Sequence, residues 1–164
     1  MATKSDFTPE QWRRLLAAPL LAAFAVSAAD PSGLIGTLQE SMASAGALAS
    51  ARANGAANAL IRAVVDDLDS AEGRTSTRAD VQRLIEGAEL PDIRAAALAA
   101  LRDVASILDA RAPQDAAAFK DWLTDIARRV AAAATEAGFL GFGGEKVSAA
   151  ERAALKDIDA ALTR

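Results

Sequence analysis

Alanine makes up about a quarter of this 164-residue chain, and this richness restricts the fold more than any other feature. Alanine is the best helix former and loses no side-chain entropy when it is buried. Aromatic residues contribute only 4%, and no run of β-branched residues alternates with polar ones as strands require. The length suits one core rather than two. We therefore predict one all-α domain, residues 1–164, built as a bundle of about six or seven alanine-rich helices.

The chain contains no His, Cys or Tyr, and their absence removes most side chains used in catalysis. No disulfide or thiolate site can form, and the commonest general base and transition-metal ligand is missing. We predict a protein that is not an enzyme and uses no cofactor. The net charge of −4 argues against nucleic-acid binding, because phosphate recognition needs clustered cations.

Four agreeing signals predict the start of a helix near the N-terminus. A threonine suited to the N-cap precedes a proline at the first helical position, and a glutamine completes a capping box. A phenylalanine and a tryptophan occupy the two positions of a hydrophobic staple. These residues are Thr8, Pro9, Gln11, Phe7 and Trp12. We expect residues 1–6 to form a flexible N-terminus.

Residues 15–29 form an uncharged segment with three alternative interpretations: a membrane span, a signal peptide and a core helix. The segment is shorter than the roughly 20 apolar residues that span a membrane. It resembles a signal peptide cleaved after Ala28, because the basic residues Arg13 and Arg14 precede it and small residues end it. A buried core helix kinked near Pro19 is the alternative that we favour, because Glu10 gives a poor basic region and a capped start has no use in a discarded segment. We therefore predict a cytoplasmic protein.

Apolar side chains that recur every three or four residues indicate four helices in the middle of the chain. The first begins at Asp30-Pro31 and stops near Asn54-Gly55, unless it continues as one very long helix. The next carries Leu60, Val64 and Leu68. Two more begin near Asp92 and at Pro113, and their buried faces are predicted to hold Ile93, Ala97, Leu101, Val104 and Leu108, then Phe119, Trp122, Ile126, Val130 and Ala133.

Residues 70–77 are polar and contain one glycine, so we predict an exposed loop there. A short helix capped by Thr77 should follow, with apolar residues Val81, Leu84 and Ile85. Leu90-Pro91 interrupts the helical pattern.

Acidic residues cluster at the end of the helix before this loop, at Asp66, Asp67, Asp69 and Glu72. Carboxylates at a helix C-terminus oppose its partial negative charge, and such a placement sometimes marks a bound Ca²⁺ or Mg²⁺. The spacing matches no calcium loop, and arginines lie nearby. We favour a solvated acidic helix end and predict no metal site.

The C-terminal region predicts a helix that ends near Gly138, a glycine-rich loop, and a last helix. The last helix opens with a capping box at Ser148 and Glu151 and docks through Leu155, Ile158 and Leu162. The loop holds three large apolar side chains, Phe139, Leu140 and Phe142. They either plug the end of the bundle or form an exposed partner-binding patch, since contiguous exposed apolar groups usually mark binding.

Residues 143–152, with Leu155 and Ile158 beyond them, resemble a motif of the tellurite-resistance TerB-like helical family. The resemblance implies an all-α fold and an acidic surface that binds divalent metal. Gly143 stands where the family has an acidic residue, and Lys146 is an additional residue. Glu145 and Glu151 therefore remain from the implied site, and they do not make a metal site alone.

The two ends of the chain also suggest an internal repeat. Phe7 and Trp12 open a helix that leads to a turn near Gly33, and Phe119 and Trp122 precede the turn after Gly138. Two helix–turn–helix units could pack with approximate two-fold symmetry, although alanine-rich helices resemble one another without any repeat.

The sequence leads to three hypotheses about function. The first is a non-catalytic interaction or stress-associated bacterial protein that binds a protein partner or itself through Phe139, Leu140 and Phe142. The second is a TerB-like module that binds a divalent metal through carboxylates. The third is a carrier of small apolar ligands, because a bundle with few large side chains can leave a cavity.

Overall fold

The computed structural model describes residues 1–29, 58–137 and 149–163. Within these ranges the chain forms a short 3-10 helix, Lys4–Asp6, and six α-helices with no strand. The α-helices are α1 (Pro9–Ser27), α2 (Ala59–Asp69), α3 (Ala71–Ile85), α4 (Leu90–Arg111), α5 (Pro113–Ala137) and α6 (Ala149–Thr163). They pack around one hydrophobic core, which confirms the predicted all-α bundle. The helix expected from Asp30 to Asn54 lies outside the described residues.

Helix α1 is the centre of the bundle and contacts each of the other five α-helices. Its uncharged segment is buried on nearly all sides, because alanines at 18, 22, 23 and 25 let neighbouring helices approach closely. The predicted core helix is confirmed, and it continues through Pro19. Cleavage after Ala28 would remove this central helix.

The start of α1 agrees with the sequence analysis. The hydroxyl of Thr8 accepts a hydrogen bond from the Gln11 amide N–H at 3.2 Å, and Gln11 Oε1 accepts one from Thr8 N–H at 3.0 Å. The rings of Phe7 and Trp12 lie 5.8 Å apart, as a hydrophobic staple requires.

The flexibility expected for the first six residues stays a prediction, and the structure shows contacts between this segment and the bundle. The segment includes the 3-10 helix, and Ala2 is buried. Its backbone N–H donates a 2.7 Å hydrogen bond to Asp115 Oδ2 in the first turn of α5. A long-range hydrogen bond therefore links Ala2 to α5.

The loop predicted for residues 70–77 is wrong, because these residues form the first half of α3. Ser70 is the true N-cap: its hydroxyl accepts a hydrogen bond from Gly73 N–H at 2.9 Å. Thr77, predicted to be a cap, lies inside the helix and is only 2% exposed. Ser, Thr and Arg are tolerated in a helix, so a polar composition alone does not indicate a loop.

The faces predicted for α2, α4 and α5 are confirmed wherever the side chains are described, while Leu84 of α3 and Leu155 of α6 are partly buried against the core. All five apolar residues named for α4 are buried, and so are those named for α2 and the first four named for α5. Apolar periodicity therefore identified the buried side of each of these helices.

Helix α6 closes the bundle against α4 and α5. It begins at Ala149 and buries Ile158 and Leu162, as expected, while the predicted cap at Ser148 lies outside the described residues. Hydrogen bonds reach it from both neighbours. One runs from Arg94 Nη2 to Asp157 at 2.6 Å, and the other from Thr124 to Asp159 at 3.2 Å.

The two aromatic pairs of the proposed repeat do not occupy equivalent positions. Phe7 lies before the N-cap of α1, whereas Phe119 lies inside α5 and meets Trp122 edge to face at 5.1 Å. The two turns that would complete the repeat fall outside the described residues.

Candidate functional site

The loop residues singled out from the sequence, Phe139, Leu140 and Phe142, lie outside the residues that the structure describes. Their role in partner binding therefore stays a prediction. Among the side chains whose burial the structure describes, Met1 is the only large hydrophobic one that is mostly exposed.

Asp67, one member of the acidic cluster at the end of α2, is part of the structural framework, whereas Asp66 and Glu72 are exposed, as a solvated helix end predicts. The carboxylate of Asp67 accepts hydrogen bonds from Lys4 Nζ at 2.7 Å and from Trp12 Nε1 at 2.6 Å. The hydrogen bond from Lys4 makes the largest contribution to holding the pKa of Asp67 below its ordinary value, and the bond from Trp12 lowers the pKa further. The side chain of Arg74 donates a hydrogen bond to the backbone carbonyl of Asp69. This bond satisfies one of the carbonyl groups that are left without a helical partner at the end of α2.

Metal binding finds no support in the described ranges. No group of three or more Asp, Glu, His or Cys side chains within residues 1–29, 58–137 and 149–163 could hold a metal ion. Glu151, one of the two carboxylates left from the TerB-like motif, is 4% exposed and lies against the bundle. Glu145 is outside the described ranges.

A cleft between α1, α3 and α4 is lined by described residues of all three helices. Helices α3 and α4 both pack on α1 but contact each other little, so a gap remains between them above α1. The gap has a volume of about 360 Å³ and is open to solvent.

The floor of the cleft is apolar and comes from all three helices. Two of its residues are alanines, which leave room above α1 and α4, and the others are aliphatic. They are Ala17 and Leu21 from α1, Val81 and Leu84 from α3, and Ala100 and Val104 from α4.

The rim of the cleft carries three arginines and three carboxylates. They are Glu10, Arg13 and Arg14 from α1, Asp80 and Arg83 from α3, and Asp103 from α4. The formal charges of these six residues cancel, so the rim does not act as a single-sign patch.

Most of the rim charges are already paired. Arg14 joins two helices, because its guanidinium lies 3.0 Å from Glu10 and 2.9 Å from Asp103. Arg83 pairs with Asp80 in the preceding turn of α3 at 2.6 Å. Arg13 forms no ion pair with any residue in the described ranges, and its side chain is exposed. As far as the described residues go, the rim therefore offers one uncommitted cation.

The side of the cleft formed by α1 follows one face of that helix. Its five lining residues recur at helical spacing from Glu10 to Leu21, which corresponds to about 16 Å of helix. The residues nearer the N-terminus are charged, and those nearer the C-terminus are apolar. The cleft is therefore polar at one end of this face and apolar at the other.

Sequence reasoning identified parts of this cleft without recognising it. The sequence predicts Val81 and Leu84 as apolar face residues, and it places Arg13 with Arg14 in the basic region of a possible signal peptide. No local pattern relates α1 to α3 and α4, because their packing depends on contacts distant in sequence.

Comparison with known proteins adds no family to this description. The chain matches no protein-family model, and no curated protein and no solved structure matches it. The TerB-like resemblance therefore stays a prediction. Within the described ranges, no helix combines the length and hydropathy needed to cross a membrane.

Proposed function

We propose that this chain is a non-catalytic binding protein that takes a segment of a partner protein into the cleft between α1, α3 and α4. The observation that supports the proposal is the cleft itself, in which an apolar floor is surrounded by charged side chains. Protein-binding surfaces often combine an apolar centre with a polar rim.

The chemistry of the rim supports binding rather than catalysis. General acids and bases in enzymes usually owe their activity to burial or to a perturbing neighbour. The rim carboxylates of Glu10 and Asp103 are exposed and share the guanidinium of Arg14. We therefore propose that the cleft recognises a partner and performs no reaction.

The shape of the cleft favours a polypeptide over a small apolar ligand. Ligand sites usually enclose most of the bound molecule. This cleft is partly open to solvent, so an apolar ligand would keep part of its surface in water. A protein segment can turn its own polar side to the solvent.

Two further parts of the proposal depend on the sequence alone. Phe139, Leu140 and Phe142 could give the partner a second contact. We also propose a cytoplasmic location, because Asp6 and Glu10 precede the uncharged segment where a secretory signal has basic residues.

Site-specific photocrosslinking tests the proposal. A photoreactive amino acid replaces Arg83 at the rim of the cleft or, as the control, Ala118 on the exposed face of α5. After irradiation in the native host, we expect an adduct with a discrete partner protein only from position 83. Equal adducts from both positions, no adduct from position 83, or an adduct with a second copy of this chain would contradict the proposal.

Native mass spectrometry of the protein from its host covers the alternative of a ligand carrier. We expect the mass of the chain without any small molecule. A bound apolar compound that dissociates on denaturation would contradict the proposal.

A further inference from the structure

We infer that Met1 is removed from this chain and that the α-amino group then freed on Ala2 forms an ion pair with Asp115. This modification is independent of the cleft and of the proposed function. Three features at the start of α5 point to it: a buried carboxylate, a buried alanine whose N–H donates to that carboxylate, and an exposed methionine before the alanine.

Asp115 is a buried carboxylate without a cationic partner in the described ranges. It lies in the first turn of α5 and is only 5% exposed. It accepts hydrogen bonds from Ala2 N–H and Asn58 Nδ2, which are both uncharged donors. No Lys or Arg within residues 1–29, 58–137 and 149–163 forms an ion pair with it. Buried carboxylates are usually paired with a cation, so a positive charge at one of the two donors would stabilise this site.

The backbone nitrogen of Ala2 is the donor that one hydrolysis step can charge. It lies 2.7 Å from Asp115 Oδ2, a distance typical of charge-assisted hydrogen bonds. Removal of Met1 breaks the peptide bond between Met1 and Ala2 with one water molecule. The oxygen of the water joins the Met1 carbonyl carbon, which leaves as a carboxylate, and both hydrogens end on the Ala2 nitrogen as –NH3⁺. An ammonium thereby replaces the peptide N–H at the same position.

The two residues at the cleavage point suit this reaction. Aminopeptidases that remove an N-terminal methionine act when the next side chain is small, and here that residue is alanine. Such enzymes act on the growing chain, before folding buries Ala2. Met1 is 86% exposed, whereas Ala2 is 8% exposed, so removal of Met1 sacrifices little buried surface. The N–H groups of the ammonium that do not face Asp115 would point to where Met1 was and donate to water.

The other charged groups of the N-terminal segment already have partners. Lys4 donates to Asp67, and the carboxylate of Asp6 accepts from Thr3. Asp115 is therefore the carboxylate available to the new ammonium. Pairing with it should raise the pKa of the α-amino group above its ordinary value of about 7.7–8.0.

Mass spectrometry of the full-length protein purified from its own host tests the cleavage. We expect an intact mass lower than that of the 164-residue chain by one methionine residue, and an N-terminal peptide that begins with unmodified Ala2. A retained Met1, an acetylated Ala2 or a different first residue would overturn the inference, because none of these places a charge on the Ala2 nitrogen.

Two forms of the chain test the ion pair without any substitution. One form begins at Ala2, and the other retains Met1 because it is produced while the aminopeptidase is inhibited. In urea denaturation at neutral pH, the unfolding constant of the processed form should be about tenfold smaller, as expected if the pKa rises by about one pH unit. Equal stability of the two forms would overturn the inference.

The pH dependence identifies the α-amino group as the source of the difference. A raised pKa stabilises the fold fully below the unfolded-state value, and this contribution is lost as the pH rises through the folded-state value. The two forms should therefore become equally stable in alkaline solution. A difference that stays constant from neutral to alkaline pH would overturn the ion pair.

Asp115→Asn removes the negative charge and should make the two forms equally stable at neutral pH. Asp121→Asn is the matched control, because it removes an exposed carboxylate of the same helix and should leave the difference unchanged. A difference that survives Asp115→Asn would show that the ammonium does not act through Asp115. If Asp115→Asn does not fold, the comparison of the two unsubstituted forms over the pH series decides the inference by itself.

Discussion

The indole Nε1 of Trp12 donates a 2.6 Å hydrogen bond to the carboxylate of Asp67, a residue 55 positions further along the chain. Trp12 is only 3% exposed, so its N–H has no ready access to water in place of this acceptor. The same carboxylate accepts from Lys4 Nζ at 2.7 Å. Asp67 therefore connects the N-terminal 3-10 helix, the start of α1 and the end of α2.

Asp67→Ala should destabilise the fold by about 1–3 kcal/mol, because it leaves the buried N–H of Trp12 without an acceptor. Urea denaturation followed by circular dichroism measures the change. Asp66→Ala is the matched control, since Asp66 is an exposed carboxylate one residue earlier. Its effect should stay within about 0.5 kcal/mol. Equal losses in the two variants would show that the bond to Trp12 does not stabilise the fold.

The stabilisation from Asp67 should disappear in acid. Hydrogen bonds from Lys4 and then Trp12 hold the pKa of Asp67 in the folded protein below its ordinary value of 3.8. A lowered pKa stabilises the fold fully above the unfolded-state value, and this contribution is lost as the pH falls through the folded-state value.

The native protein should therefore exceed Asp67→Asn in stability by a constant amount at neutral pH, and the difference should shrink as the pH falls below 3.8. Urea denaturation of both proteins over a pH series measures it. The pKa of Asp6 is also lowered, through hydrogen bonds with Thr3, but this effect is common to both proteins and cancels. A difference that grows in acid would contradict the prediction.

Gly73→Ala should destabilise the protein although alanine usually stabilises a helix relative to glycine. A Cβ at this position would overlap the backbone carbonyl oxygen of Asp67. The end of α2 would have to move, at a cost of about 1–3 kcal/mol. Thermal unfolding measures the effect, and a neutral or stabilising result would contradict the close approach of the two backbones.

Gly87→Ala is the informative comparison for Gly73→Ala. Gly87 has a φ of +72°, and a Cβ there would have no neighbour within 4 Å. Its substitution should cost about 1–2 kcal/mol through backbone conformation alone. The comparison therefore separates two costs. Gly73→Ala measures the steric contact between α2 and α3, and Gly87→Ala measures backbone conformation alone.

The sequence predicts a helix correctly where the residues that define it are neighbours in the chain. Two examples are the start of α1, defined by the cap at Thr8, and the buried face of α4, defined by apolar residues three or four positions apart. The sequence predicts a loop at the start of α3, because Gly73 lies among polar residues there. Its presence in a helix is explained by Asp67, whose carbonyl approaches it only after α2 and α3 have packed.

The cleft could not be predicted for the same physical reason. Arg14 lies in a local helical pattern with Glu10, but its contact with Asp103 spans 89 positions of sequence. That contact leaves Arg13 as the uncommitted cation among the rim residues that the structure describes. The sequence identified both arginines as basic residues, and only the packing of α1 against α4 distinguishes them.

Asn58 and Asp115 form a second long-range connection, and here the direction of the hydrogen bond matters. The Oδ1 atom of Asn58 caps α2 by accepting from Leu60 N–H at 2.9 Å and from Ile61 N–H at 3.1 Å. Its Nδ2 atom donates to Asp115 Oδ1 at 3.1 Å. Asp115 thus orients the amide that caps α2.

Asn58→Asp should destabilise the fold by about 2 kcal/mol, although aspartate and asparagine are equally good N-caps. The substitution places two carboxylates next to each other where Asp115 is only 5% exposed. Combining it with Asp115→Asn should restore most of the loss. The amide introduced at position 115 can donate to the carboxylate introduced at position 58, while its oxygen accepts from Ala2 N–H. Both hydrogen bonds then survive, and the one between positions 58 and 115 has its polarity reversed.

A double-mutant cycle by urea denaturation tests this exchange, because the coupling between the two positions isolates their interaction. Each single variant should be less stable than the native protein, and the double variant should be more stable than Asn58→Asp. Additive losses would mean that the two side chains do not interact. In that case α2 would be capped by Asn58 without help from Asp115, and the N-terminal residues would be held independently of α2.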